Sequence, residues 1–176
     1  QAGDDEVLSR MRRGYTRDQY LKLIDKIRDT IPNVSLATDV IVGFCGETDR
    51  QFERTLDLLK SVEFDKVHSA AYSTRIGTIA DRKFEDNLSL SEKKDWLSAL
   101  DSIQKEIQTK INSNLLGETT EILVEGKKNG KMFGRNRNDK IVYLENELNN
   151  GSLLGTLKNV KITKTGPWSL TASLNN

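Results

Sequence analysis

Two segments place charged side chains within or just after predicted strands. In the first, Asp39 lies within the apolar run 34–44, which leads into a turn between Gly43 and Gly46. A carboxylate in an otherwise apolar strand needs a cation or a ligand amine as its partner. Glycines at the carboxyl end of a parallel strand let the backbone approach a cofactor closely. The segment therefore indicates either a ligand pocket or a tight strand–helix turn with a structural Asp–Arg pair.

The second segment carries Arg75, just after a predicted strand over residues 66–72. Parallel strands end at one edge of a sheet, so we expect Arg75 near the Asp39 segment. An arginine there can hold a carboxylate or a phosphate through two parallel hydrogen bonds. The alternative is an exposed loop arginine.

Residues 126–140 form a basic segment with six basic side chains, one acidic side chain and the aromatic Phe133. Residues 115–176 hold 9 basic and 6 acidic side chains, whereas residues 1–114 hold 18 and 20. Basic residues beside an aromatic ring that stacks on bases are typical of a single-strand RNA surface. A solvated hairpin, with Phe133 in the core, is the other interpretation.

The single histidine and the single cysteine are assigned no function. His68 occupies a strand position that favours a structural role, and Cys45 has no evident base beside it. One cysteine also excludes an internal disulfide or a cluster held by several thiolates of this chain. We predict no catalytic residue and no metal ligand here.

The elements that position these residues follow two patterns. Up to residue 88, helical and strand segments alternate as in an α/β domain, with helix caps at Asp4 or Asp5, Thr16 and Thr48, and a helix end at Gly14. A helix of about 24 residues capped by Ser91 follows and is expected to bridge two domains. Five short segments then indicate a small antiparallel barrel. These strands are predicted over 119–124, 131–137, 140–144, 157–163 and 170–174.

The ends and the hydropathy of the chain suggest its context. It contains no long apolar run and no signal-like start, so we expect a cytoplasmic protein without a membrane segment. It does not begin with methionine, and its first residues suggest the end of a strand that enters a helix cap. We therefore expect a piece of a larger protein.

Several motifs in order resemble the MiaB-type tRNA methylthiotransferases. Residues 1–8 (QAGDDEVL) resemble the family's Q-S-G-S-D-x-x-L, and residues 38–48 resemble T-D-x-I-V-G-F-P-G-E-T. Residues 72–78 resemble Y-S-x-R-P-G-T, residues 117–125 look like the opening of a TRAM domain, and residues 134–136 resemble its G-R-N signature. The departures are Ala2, Cys45, Ile76 and Ile79, where the family has serine or prolines.

The resemblance implies an α/β fold: a partial radical S-adenosylmethionine (β/α) barrel followed by a small OB-like TRAM β-barrel. The implied domains are 1–88, a linking helix 89–116 and the TRAM barrel 117–176. The implied reaction adds a methylthio group at C2 of N6-isopentenyladenosine beside a tRNA anticodon, through a 5′-deoxyadenosyl radical. It uses S-adenosylmethionine and two 4Fe-4S clusters, whose cysteines are absent here, so this chain alone is expected to be inactive.

The resemblance also implies two sets of site residues. The cofactor pocket is lined or supported by Gln1, Thr38, Asp39, Gly43, Glu47 and Arg75. RNA phosphates are contacted by Lys127, Lys128, Lys131, Arg135 and Arg137. The expected partners are a tRNA anticodon stem-loop and the missing N-terminal domains, and the truncated sheet is expected to self-associate. The alternatives are a methylthiotransferase for threonylcarbamoyladenosine or a ribosomal aspartate, and a non-catalytic RNA-binding module.

Overall fold

The protein is described here by a computed structural model that covers residues 1–145 and 153–174. The chain divides into two compact units, residues 1–107 and residues 108–176. None of the described helices is long and apolar enough to cross a membrane. Each unit is described by itself below.

The first unit alternates helices and strands. Thr16 and Thr48 each begin a helix with a capping box, in which the glutamine three residues later bonds back to the cap. Both predicted caps are confirmed. The elements are α1 (Asp5–Arg10), α2 (Arg17–Thr30), β1 (Ala37–Val42), α3 (Asp49–Val62), β2 (Lys66–Ala71), α4 (Ile79–Lys83) and α5 (Leu90–Ser113), whose last residues belong to the second unit.

Two predicted helix ends are wrong. Helix α1 ends at Arg10, and Arg12 takes the left-handed conformation with φ 59°, so Gly14 is not its terminator. Helix α5 is capped by Ser89 instead of Ser91. The Ser89 hydroxyl accepts a hydrogen bond from the Glu92 N–H at 3.2 Å, and the Ser89 N–H donates to the Glu92 carboxylate at 2.8 Å. This reciprocal pair satisfies two backbone groups, which Ser91 lacks the spacing to do.

Strands β1 and β2 are parallel, with Asp39 opposite His68 and Ile41 opposite Ala70. Alternation along β1 buries Val40 and leaves Asp39 exposed. The prediction of a strand apolar on both faces with a buried carboxylate is therefore wrong. Asp39 belongs to a sheet face, called the open face here, that the described part of the chain leaves largely to solvent.

The covered face of the sheet packs on helices. Leu59 of α3 and Leu100 of α5 are fully buried. Phe52 and Trp96 stack with their ring planes 1° apart and their centroids 4.6 Å apart. The Gln104 side chain donates a hydrogen bond to the Phe64 carbonyl at 2.9 Å, which ties α5 to the segment before β2. These contacts fix β1 and β2 against the helices that follow them.

The second unit contains a closed five-stranded barrel in the order β3-β4-β5-β7-β6. Closure leaves no unpaired sheet edge. The five predicted strands are confirmed, but the barrel is not wholly antiparallel, because β5 and β7 pair in parallel. The strands are β3 (Thr119–Lys128), β4 (Lys131–Asn136), β5 (Ile141–Leu144), β6 (Leu157–Thr165) and β7 (Leu170–Leu174). Its core consists of Ile122, Val124, Met132, Val142, Leu144, Val160, Ile162, Leu170 and Ala172.

The hairpin between β3 and β4 turns at Asn129 and Gly130. Both residues have positive φ, 50° and 81°, as a two-residue turn of the type I′ kind requires. Lys128 and Lys131 are opposite each other at the strand ends beside this turn. The turn therefore presents both lysines at the tip of the hairpin.

Candidate functional site

The turn between β1 and α3 is closed by Glu47. Its Oε2 atom accepts hydrogen bonds from the Gly43 N–H at 2.7 Å and from the Phe44 N–H at 3.1 Å. Gly43 and Gly46 have φ values of 72° and 69°, in the region that favours glycine. Glu47 itself is buried. Its buried carboxylate thus stabilises the backbone of the turn that contains it.

The second carboxylate oxygen of Glu47, Oε1, is buried without a hydrogen-bond partner within the described residues. Burial raises the pKa of Glu47 from 4.5 to about 7, although the Phe44 and Gly43 N–H groups and the Arg10 charge oppose this rise. Near neutral pH the side chain therefore exists in both charged and neutral forms.

Arg10 fastens helix α1 to the same turn. Its guanidinium donates hydrogen bonds to the Cys45 carbonyl at 2.9 Å and to the Gln51 side chain at 3.0 Å. A Cβ atom at Gly46 would lie 2.7 Å from this guanidinium, so the glycine makes room for it. Cys45 is buried and contributes its backbone carbonyl to this contact.

The start of the chain packs on β1 and α3. The Ile41 N–H donates to the Gln1 carbonyl at 3.0 Å, so Gln1 runs beside β1. The Gly3 N–H donates to the Thr55 hydroxyl at 2.9 Å, and a Cβ atom at Gly3 would lie 2.3 Å from the Arg54 carbonyl oxygen. Buried Asp4 caps α1 and forms a 2.6 Å ion pair with Arg54.

A cleft of about 290 Å³ lies at the carboxyl ends of β1 and β2. Small side chains at Ala70 and Ala71 leave this space, and exposed Arg75 contributes the cationic group of its lining. The other lining residues are Ile41, Tyr72, Ser73, Thr78 and Ala80. An apolar cleft with one arginine can take a planar apolar group together with a carboxylate.

Of the six predicted cofactor residues, only Arg75 lines this cleft, while Gln1 and Thr38 line a separate small cavity on the other side of β1. Asp39 lies on the same open face as Ile41, which also lines the cleft. Thr38 is on the covered face, where its hydroxyl is 3.3 Å from the Tyr20 hydroxyl. Gln1 runs beside β1, while Gly43 and Glu47 form the turn. The structure therefore does not bring the six residues together in one pocket.

Lys93 is a residue of this region that sequence reasoning missed. It is only 2% exposed, and its ammonium lies 2.6 and 2.7 Å from the two carboxylate oxygens of Asp86 and 3.2 Å from the Tyr72 carbonyl oxygen. A Cβ atom at Gly43 would lie 2.6 Å from Lys93 Cγ. Its spacing of three from Trp96, on the apolar stripe of α5, is the signal that could have revealed it.

The segment after β2 packs on the glycine turn through three further contacts. The Phe44 ring is 4.8 Å from the Tyr72 ring and 6.1 Å from the Phe84 ring. The Gly46 N–H donates to the Asn87 side chain at 2.8 Å. The predicted long loop over 73–88 contains the short helix α4. These contacts attach the end of that loop to the glycine turn.

On the barrel, both predicted RNA-contacting arginines are paired with carboxylates. Arg135 lies 3.3 Å from Glu125 and 2.7 Å from Asp139, and Arg137 lies 2.8 Å from Glu121. Lys127, Lys128 and Lys131 are exposed near the hairpin tip. The two arginines thus add less positive charge to this surface than the sequence indicates.

Two residues of the G-R-N motif, Gly134 and Asn136, shape the barrel backbone. A Cβ atom at Gly134 would lie 2.2 Å from the Leu123 carbonyl oxygen, so β3 and β4 approach too closely there for any side chain. The buried Asn136 side chain accepts hydrogen bonds from the Asn138 N–H at 3.1 Å and the Lys140 N–H at 2.9 Å. It closes the loop between β4 and β5.

Each of the two units contains a segment that is similar to a known protein family. Residues 1–59 match the Radical SAM superfamily and residues 114–174 match the TRAM domain. A tRNA-2-methylthio-N(6)-dimethylallyladenosine synthase of Herpetosiphon aurantiacus is 47% identical over 99% of this chain and 40% of its own length. The synthase of that name from Geobacillus thermodenitrificans is 42% identical over 100% of this chain and 34% of its own length.

The chain spans about two fifths of the length of such curated relatives. A crystal structure of a multidomain protein with nucleic acid binding domains from Streptococcus pneumoniae has a TM-score of only 0.31 and 15% identity, over 36% of this chain and 24% of its own. That likeness carries no inference. The sequence relatives are informative instead: the chain is similar over nearly its whole length to synthases of this name, with a Radical SAM match over residues 1–59 followed by a TRAM match over residues 114–174.

Proposed function

We propose that this chain is the part of a tRNA-2-methylthio-N6-dimethylallyladenosine synthase that forms one wall of the cofactor site and holds the tRNA. The observation that carries the proposal is 42–47% identity, over essentially all 176 residues, to proteins that bear this one name. Motifs of a general radical S-adenosylmethionine barrel would not extend through the linking helix and the β-barrel.

The first unit supplies one wall of a partial (β/α) barrel in this proposal. S-adenosylmethionine, when bound with a reduced iron–sulfur cluster, supplies the radical that removes hydrogen from C2 of the adenosine. The apolar cleft with Arg75 fits part of this cofactor, because the guanidinium can hold its carboxylate while Ala70 and Ala71 leave room beside the sheet. Asp39, on the open face, can accept hydrogen bonds from its ammonium or hydroxyl groups.

The iron–sulfur clusters do not fit on this chain. Its one cysteine is buried in the glycine turn, and no group of three or more histidine, cysteine or acidic residues among residues 1–145 and 153–174 could hold a metal ion. A 4Fe-4S cluster needs several thiolates. We therefore expect the 176-residue chain to bind RNA without catalysing methylthiolation.

The second unit supplies the RNA contact. Lys127, Lys128 and Lys131 at the hairpin tip are proposed to contact phosphates of the anticodon stem-loop, with Arg135 and Arg137 contributing only when they exchange their carboxylate partners for phosphate. Binding should therefore weaken as salt concentration rises.

A chimera tests the proposal directly. Residues 1–176 would replace the matching segment of the Herpetosiphon aurantiacus synthase, and tRNA nucleosides would be measured by mass spectrometry after reaction with S-adenosylmethionine. We expect 2-methylthio-N6-dimethylallyladenosine to form, and Arg75→Ala in the chimera to reduce its yield. Iron content and far-ultraviolet circular dichroism serve as controls for cluster loading and folding.

The chimera also separates the alternatives. A folded, cluster-loaded chimera that modifies threonylcarbamoyladenosine or a ribosomal aspartate instead would assign this chain to one of those branches. A chimera that binds tRNA but modifies nothing would favour a non-catalytic RNA-binding module.

A further inference from the structure

We propose that Phe133 and Tyr143, side by side on the outer face of the barrel, form a stacking site for two bases of a single-stranded RNA segment. The inference rests on the proposed RNA-binding function and gives it a base-contacting site. The two residues are directly opposite each other on β4 and β5, and their ring centroids are 6.0 Å apart. Neither ring belongs to the buried core of the barrel.

Alternation along both strands places the two rings outside. Met132 and Val142, the neighbours of Phe133 and Tyr143 in sequence, are buried in the core. The rings themselves are half-buried and lie at 46° to each other. Each therefore keeps a surface in contact with solvent, where a base can stack.

The Phe133 ring rests on a glycine of the neighbouring strand. A Cβ atom at Gly126 would lie 3.2 Å from Phe133 Cε1, so the ring covers the space above the glycine backbone. A ring that is held by its neighbours loses little conformational entropy when a base binds. This contact makes Phe133 a preorganised half of the site.

Cationic side chains lie near the pair on two sides. Lys131 is two residues before Phe133 on β4, on the same outer face. On the other side, Tyr143 is in register with Thr171, and Thr171 is in register with Lys164, which is exposed. Neither Lys131 nor Lys164 has an ion pair with a carboxylate within the described residues. Two rings beside these two lysines match a nucleic-acid strand better than an apolar protein segment.

The experiment uses the 176-residue chain and a fluorescein-labelled single-stranded RNA octamer of mixed sequence, followed by fluorescence anisotropy over a range of salt concentrations. Phe133→Leu and Tyr143→Leu keep apolar bulk on the surface but remove the rings. We expect each to weaken binding about 10-fold, without changing the dependence on salt. Lys131→Ala should instead reduce the slope of log affinity against log salt by about one.

Two matched variants control for general effects. Trp168→Leu removes an exposed aromatic ring from the β6–β7 turn, outside the Phe133–Tyr143 row, and should leave the affinity unchanged. Tyr143→Phe keeps the ring and should bind as the original chain does, which separates stacking from a hydrogen bond of the hydroxyl. Circular dichroism establishes that each variant keeps the barrel.

The outcomes separate this inference from the proposed function. If the original chain binds and the two ring variants bind equally well, the stacking site is refuted while RNA binding stands. Preferential binding of a duplex, unaffected by the ring variants, would refute it as well. If the original chain binds no RNA at low salt, both the inference and the proposed RNA contact fail. Quenching of 2-aminopurine in the octamer, lost in both ring variants, would support it independently.

Discussion

At the scale of single residues, Glu47 combines a structural position with an unusual charge state. It is buried, holds two backbone N–H groups of its turn and leaves Oε1 without a partner in the described part of the protein. Its pKa of about 7 in the folded protein lies above the ordinary value of 4.5. Between these two pH values the folded state binds a proton that the unfolded state has released.

This difference predicts that the first unit loses stability as pH rises from about 5 to 8. The contribution of Glu47 is fully present below its unfolded pKa and disappears as pH passes its folded pKa, a loss of roughly 3 kcal/mol at most. Glu47→Gln should remove most of this dependence. Urea unfolding at pH 5 and pH 8 would measure it in a Trp168→Phe background, where Trp96 reports on the first unit. Equal pH dependence in both proteins would contradict the prediction.

At Gly134 the close approach of a neighbouring strand leaves no room for a side chain. Because a Cβ atom there would meet the Leu123 carbonyl oxygen at 2.2 Å, Gly134→Ala must push β3 and β4 apart. We expect a loss of about 2 kcal/mol or more in the stability of the barrel. Urea unfolding followed by Trp168 fluorescence in a Trp96→Phe background would measure this loss. Gly126→Ala is the matched control, since it meets only the edge of the Phe133 ring, which can tilt, and a cost as large as that of Gly134→Ala would speak against a backbone clash.

At the scale of elements, helix α5 and the segment before it hold the cleft in shape. Lys93 reaches from α5 to Asp86, to the Tyr72 carbonyl and to the backbone of Gly43. One buried side chain thus contacts the carboxyl ends of both strands and the loop between β2 and α5. Lys93 is almost fully buried, whereas the Asp86 side chain is 26% exposed, so the two partners differ in what their loss leaves behind.

The asymmetry predicts that Asp86→Ala destabilises the first unit more than Lys93→Met does. Removing Asp86 leaves a buried ammonium without its counter-ion, at a cost of about 3 kcal/mol, while Lys93→Met leaves a carboxylate that water can reach. Urea unfolding in the Trp168→Phe background would compare them. Asp86→Asn tests whether a neutral hydrogen-bond partner restores part of the loss. The reverse order of stabilities would refute the argument.

The elements were predictable from sequence where local rules decide them. Thr16 and Thr48 cap their helices because a glutamine follows at the third position, and Asn129–Gly130 makes a hairpin turn for the same kind of local reason. The exposure of Asp39 was not predictable, because it depends on which face of the sheet the helices cover. The pairing of Arg135 with Glu125 depends on a neighbouring strand ten residues away in sequence.

At the scale of the whole molecule, the boundary of the second unit lies inside helix α5. The Asn112 side chain is buried and donates hydrogen bonds to the Gly166 carbonyl at 2.7 Å and to the Pro167 carbonyl at 3.2 Å, while Gln108 donates to Asn112 at 3.1 Å. The resemblance to the family predicts that the barrel domain begins at residue 117. We propose instead that the end of α5 is part of the folding unit.

A comparison of two fragments tests this boundary. The free energy of unfolding of residues 108–176 should exceed that of residues 117–176 by about 1 to 3 kcal/mol. The reason is that the shorter fragment leaves two carbonyls of the β6–β7 turn without their donor. Fluorescence of Trp168, which lies in that turn, would follow both. Asn112→Ala in the longer fragment should reproduce most of the difference. Equal stability of the two fragments would place the boundary after the helix.

The contact of Asn112 with the β6–β7 turn also bears on how such a domain moves between genes during evolution. A recombination event that joined a new partner at the first strand would transfer the barrel without the amide that secures it. We therefore expect a stable exchange to carry the end of α5 along, from residue 108 onward. Fusion proteins that borrow this barrel should be joined at the same point.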